Sequence, residues 1–152
     1  MQRPKLSGDR VQSRWWYWIA AVPVVFVFWV VTVAWVAFAI SLEPNILPST
    51  YDSPIVHAAL VSLVAVGIPF AVLIAVFPFA VFQDTQAIHR AEQGWEPPSG
   101  NYALTGLLGL AAAVVVWLLT SDISSAVIAG FVLSVPFALY YLRERHDNLG
   151  VP

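Results

Sequence analysis

The chain contains no cysteine, one methionine and one lysine, and only 11% of its 152 residues are charged. Without cysteine it has no disulfide, no thiolate metal site and no thiol nucleophile. A soluble domain carries about a quarter charged residues, so the deficit excludes an ordinary solvated surface. Seven basic residues against nine acidic ones give a formal net charge of −2. That leaves no basic surplus to neutralise a nucleic-acid backbone, and no nucleic-acid partner is expected. No phosphate-cradling glycine loop, Walker sequence, HExxH helix or serine nucleophile elbow occurs. No catalytic residue, cofactor or metal is therefore assigned from the sequence, and the chain reads as a non-enzyme.

What the chain does have is apolar length. It is 59% hydrophobic, and its mean hydropathy is +0.76. Runs of 18 or more uncharged residues mark membrane-spanning helices, and they predict an all-α fold with spans at 15–42, 55–82, 102–119 and 123–142. Residues 1–14 and 143–152 form tails, and 83–101 forms the one long polar loop. The first run is too long for the core of a signal peptide and is read as a retained helix. At 1.5 Å per residue it is about 42 Å long, more than the ~30 Å hydrocarbon core, so it must tilt or extend into the interface. It opens on Trp15, Trp16, Tyr17 and Trp18, an aromatic anchor at headgroup depth.

The basic residues fix an orientation. Arg3, Lys5, Arg10 and Arg14 lie in the first tail, Arg90 in the central loop, and Arg143 and Arg145 in the second tail. With four spans these segments share one side, which the positive-inside rule makes the cytoplasm. The expected object is a multi-pass cell-membrane protein made of two antiparallel helical hairpins, with both termini cytoplasmic.

Small residues recur every fourth position: Gly67, Ala71 and Ala75 in the second span, Thr105, Gly109 and Ala113 in the third, and Ala126, Gly130, Ser134 and Ala138 in the fourth. Such stripes let helix backbones approach, and close packing is a main source of helix association in lipid. A turn at 120–123 makes spans three and four antiparallel neighbours, and their stripes are expected to seal that hairpin.

No Asp, Glu, Lys, Arg or His falls well inside a predicted span, which argues against pumps, proton-coupled carriers and intramembrane proteases. The polar chemistry is concentrated in the central loop. If the second helix continues past Phe82, then Asp84, Ala87, Ile88, Ala91 and Trp95 cluster on one side. His89 and Glu92 become helical neighbours, and with Asp84 or His146 they would supply an imidazole–carboxylate metal site. A solvated interfacial helix is the plainer reading. Gly94 is a helix stop, and Pro97 and Pro98 form a rigid break. An ion pair from Asp84 to Arg145 or Arg143 would pin this loop to the C-terminal tail. Together Asp84, His89, Arg90, Trp95, Arg143, Arg145 and His146 form the candidate interaction face.

The positions Asp84, Trp95, Pro97, Tyr102, Pro136, Tyr140, Tyr141, Leu142, Arg145, His146, Gly150 and Pro152 give the C-terminal half, residues 77–152, a motif that resembles small multi-helix membrane proteins of halophilic archaea. The resemblance implies a multi-helix membrane fold with a motif surface on its cytoplasmic side, and no activity comes with it. The expected role is that of a small structural or accessory subunit or self-associating scaffold. Its partners would be the lipid bilayer and a second copy or another membrane protein. A small-solute or lipid transporter or channel is the alternative, and a metal-dependent enzyme at the cytoplasmic face a third.

The orientation has a direct check. A reporter active only in the cytoplasm, fused to each terminus in turn, is expected to work at both, and activity at one end alone would exclude an even number of spans.

Overall fold

A computed structural model describes residues 11, 13–42, 54–92 and 94–149. Arg3, Lys5 and Arg10 of the first tail, the acidic loop with Glu43 and Asp52, and Gly150 and Pro152 of the motif lie outside the described residues. The described chain is all-α. Its four helices are α1 (Trp16–Leu42), α2 (Pro54–Ala91), α3 (Ser99–Thr120) and α4 (Ile123–Leu149), and each is long and apolar enough to cross a membrane.

Each helix packs against its sequence neighbour, and α1 also packs against α4, so the two hairpins close into one bundle. Directions follow from the contacts. Gly109 meets Ser134 while Ala113 meets Gly130, so one turn forward on α3 is one turn back on α4. Likewise Trp16 meets Arg145 while Trp29 meets Phe131, and α1 and α4 are antiparallel. Across the diagonal α2 and α4 run parallel: Phe70 stacks on Phe131, and Asp84 reaches Tyr141 and Arg145. The beginnings of α1 and α3 and the ends of α2 and α4 therefore share one end of the bundle, called here the polar end.

The helix termini have local causes. Pro54 opens α2 at a position where a missing N–H costs nothing. Glu92 (φ 48°) and Gly94 (φ 85°) then turn the chain out of α2 through left-handed backbone. Thus the helix stops at Ala91, before Gly94, and Glu92 does not lie one helical turn from His89 on a shared face. Between α3 and α4, Ser121 is left-handed and its N–H returns to the Trp117 carbonyl at 2.8 Å. Asp122 caps α4, accepting from the backbone N–H groups of Ser124 and Ser125 and from the Ser125 hydroxyl. These bonds, the Ser125 hydroxyl first, hold the Asp122 carboxyl below the usual range.

Two boundaries differ from the sequence reading. The central connection is residues 92–98 and not 83–101, because α2 runs nine residues past Phe82. The tail predicted to begin at residue 143 is still helix α4 as far as Leu149. In both cases a buried stripe carries the helix on. Val81, Asp84, Thr85 and Ile88 are fully buried at i, i+3, i+4 and i+7 on α2, and Ala138, Tyr141 and Arg145 are buried on α4.

The core is an apolar stack of Ile19 and Val22 from α1, Phe70, Ile74, Phe77 and Val81 from α2, and Phe131, Val135 and Ala138 from α4. Helix α1 is apolar on every side. Tyr17, Phe28, Trp35 and Phe38 face outward, as expected of a helix with lipid around most of its circumference.

The small residues divide into two groups. A methyl group on Gly109 would collide with the Ser134 hydroxyl and lie 3.1 Å from the Gly130 carbonyl, and one on Gly130 would lie 2.6 Å from Ile74 Cδ1. Ala126, Ser134 and Ala138 are also buried, so this stripe of α4 is in use. On α3 Thr105 is exposed and returns its hydroxyl to the Asn101 carbonyl. Gly106 is the buried residue there, and a methyl group on it would lie 3.2 Å from Pro78 Cα of α2. The α2 trio behaves differently: Ala71 and Ala75 are exposed, and a methyl group on Gly67 would meet nothing within 4 Å. That trio packs nothing inside the bundle.

Gly109→Ala and Gly130→Ala are each expected to cost about 1–3 kcal/mol through overpacking, while Gly67→Ala leaves stability unchanged. Unfolding in detergent micelles checks the contrast.

Candidate functional site

The polar end is built by all four helices and the connection between α2 and α3. Asp84 enters from α2 and is completely buried. Its Oδ2 accepts a hydrogen bond from the Tyr141 hydroxyl at 2.7 Å and from Arg145 Nε at 3.0 Å. Tyr141 and Arg145 are one helical turn apart on α4, so both point at the same oxygen. The Arg145 side chain is 4% exposed and that of Asp84 0%, which makes this a buried ion pair and not a surface one. The other carboxylate oxygen, Oδ1, is buried and has no hydrogen-bond partner among the described residues.

Aromatic rings close the site. The Arg145 guanidinium lies 5.7 Å from the centre of the Trp16 ring on α1, a cation–π distance. Tyr102 of α3 meets the Tyr141 ring edge-on at 5.6 Å, and Trp95 lies 6.3 Å from it. Thr85 is buried beside Asp84 and returns its hydroxyl to the Phe82 carbonyl. The connection is fastened separately. His89 donates from Nε2 to the Pro97 carbonyl at 2.7 Å, and Gln86 reaches the Ser99 hydroxyl.

The candidate face thus resolves into an inner and an outer set. Asp84 and Arg145 are buried and Trp95 is half-buried, so these three hold the end of the bundle together and offer little to a partner. His89, Arg90, Arg143 and His146 are exposed. Of the two ion pairs considered, Asp84 takes Arg145. Arg143 points to solvent, where its nearest carboxylate is Asp147 at 3.8 Å on the same helix. The inner face of the α2 extension runs through Val81, Asp84, Thr85 and Ile88, whereas Ala87 and Ala91 are only half-buried. Among the described residues no group of three His, Asp or Glu side chains is placed to hold a metal ion, and the His89 ring is already engaged by Pro97.

Thr85 and Gly106 are structural participants that the sequence did not single out, while Trp16 and Tyr141 stood there only as an aromatic anchor and a motif position, not as partners of the buried pair. Tyr141 was within reach. Counting two and three turns of 3.6 residues from Ser134 of the α4 stripe leads to about 141 and 145. The meeting of Trp16 with Arg145 joins opposite ends of the chain, and nothing local announces it.

Chemically, the site is a buried carboxylate held by one cation and one phenol. The chain matches no protein-family model, no curated protein and no solved structure.

Removing either partner of a buried pair leaves an uncompensated charge, at a cost of about 3–5 kcal/mol. Asp84→Ala and Arg145→Ala are each expected to destabilise on that scale. The double variant Asp84→Leu/Arg145→Met should recover most of the loss, because apolar replacement of both partners removes the desolvation penalty as well. Arg143→Ala should leave the unfolding midpoint unchanged in the same detergent assay.

Proposed function

We propose that the protein is a membrane-embedded association module, a small structural subunit or scaffold of the cell membrane. It associates with a second copy through the outer face of α2, with both termini in the cytoplasm. The observation that carries this reading is the second group of small residues. Gly67, Ala71 and Ala75 form a stripe of the kind that lets helices pack in lipid, yet in the single chain Ala71 and Ala75 are exposed and a methyl group on the half-buried Gly67 would meet open space. Gly109 of α3 and the small residues of α4 are instead used inside the bundle, where Gly109 and Gly130 bring two backbones together.

The interior gives no support to a solute conduit. Buried polar residues among those described are Ser13, Asp84, Thr85, Ser134 and Arg145. Asp84, Thr85 and Arg145 are gathered at the polar end, and an apolar stack lies beneath them, so a polar solute would find no continuous line of partners. The likeness of residues 77–152 to halophilic membrane proteins belongs to the same proposal. Its support is that Asp84, Trp95, Tyr102, Tyr141 and Arg145 of the motif fall in one cluster.

The absence of cysteine makes the test clean. Ala71→Cys and Ala75→Cys introduce the only thiol, and each is expected to give a disulfide-linked dimer on oxidation in membranes, whereas Leu108→Cys on the exposed side of α3 is not. Equal crosslinking at all three positions, or none at 71 and 75, would overturn the α2 interface.

A further inference from the structure

The seam between α1 and α4 is built unlike the two seams of α3. Where α3 meets α4, and where α3 meets α2, glycine allows the backbones to touch. Midway along α1 and α4 the contact is instead made by rings. Phe26 lies 4.9 Å and Trp29 5.3 Å from the Phe131 ring, centre to centre. Rings of this size hold two helices apart, and the space they leave is a groove of about 410 Å³. Phe26, Trp29 and Phe131 are its floor, and Ile128, Val132 and Pro136 line it on α4. Ile128 and Val132 are 47% and 63% exposed, so the groove is open sideways.

Its depth follows from the helix. Phe26 is ten residues beyond Trp16, about 15 Å along the axis at 1.5 Å per residue, which is close to the middle of a ~30 Å hydrocarbon layer. Water does not fill an apolar space that gives it no hydrogen-bond partners. At this depth the surrounding medium is lipid chains. A chain lying in a concave aromatic trough also has protein atoms on more sides than one lying against a convex helix. Each added contact is small, but their sum is not, and in lipid it is such packing, not hydrophobic transfer, that separates a bound chain from a passing one.

We propose that the α1–α4 groove is a binding site for the hydrocarbon tail of a membrane lipid, which fills the seam as a resident part of the fold. Straight acyl chains and branched isoprenoid chains share the chemistry the groove selects for. The site does not depend on the α2 interface, and each can fail without the other.

The test is lipid retention. The full chain is reconstituted in nanodiscs, in one arm with straight-chain diacyl lipid and in another with branched isoprenoid-ether lipid. It is then extracted in detergent, and bound lipid is counted by native mass spectrometry. One lipid per chain is expected to survive extraction, and the arm that retains it identifies the tail. Val132→Trp places an indole in the groove from an exposed position, so folding is preserved, and it should lower retention several-fold. Leu108→Trp, exposed on α3 outside the groove, should not. Ile128→Trp repeats the test from the neighbouring turn. Equal retention by wild type and both groove variants would overturn the site. So would efficient disulfide crosslinking of Val132→Cys between chains in the membrane, since the groove would then be filled by a second copy.

Discussion

The bundle depends on one carboxylate. Lipid gives apolar helices no hydrophobic reason to associate, because its tails are as apolar as leucine; packing and hydrogen bonds must do the work. Asp84 reaches across the diagonal from α2 to two donors on α4, the Tyr141 hydroxyl and Arg145 Nε. Diagonal helices touch each other little, so a strong directional bond there fixes the rotation and axial position of both. The same two helices meet lower down through Phe70 on Phe131 and Ile74 on Gly130. Helices α1 and α3 then pack on either side of this axis, α1 with Trp16 over the guanidinium and α3 with Tyr102 against Tyr141.

Burying that pair has a cost, which explains where it sits. A desolvated carboxylate and guanidinium are tolerable only if their attraction and their hydrogen bonds offset the loss of water. Deep in a span nothing would compensate an imperfect arrangement. At the polar end, beyond Val81 and among Trp16, Trp95 and Tyr102, a ring of amphipathic aromatic side chains covers the charges, as such side chains do at membrane interfaces. Asp84 Oδ1 nonetheless has no hydrogen-bond partner among the described residues.

Small residues carry two meanings in this chain, and their surroundings separate them. Gly106, Gly109 and Gly130 stand where a methyl group would press on a neighbouring helix, while Gly67 stands in open space. Seams closed by glycine are tight, and the seam held by Phe26, Trp29 and Phe131 is not. Side-chain size thus shapes both a face left free on α2 and a groove left between α1 and α4.

The four spans were fully legible, because length and apolarity are one-dimensional properties and the bilayer selects for them directly. The extension of α2 past Phe82 was legible only as a condition, and that of α4 to Leu149 not at all, since a hydropathy reading ends a helix where charge begins. Asp84 and Arg145 look like solvent residues until each is seen to bury the other. The choice of Arg145 over Arg143 was open in the sequence and was settled by helical phase, which turns 145 inward beneath 141 and 143 outward to solvent. Likewise the three small stripes are indistinguishable as letters. By itself, then, the sequence determined the class, the number of helices and the residues able to pack closely. Only the tertiary structure decided which of them do and which charge pairs with which, because those outcomes depend on the neighbour a helix face meets.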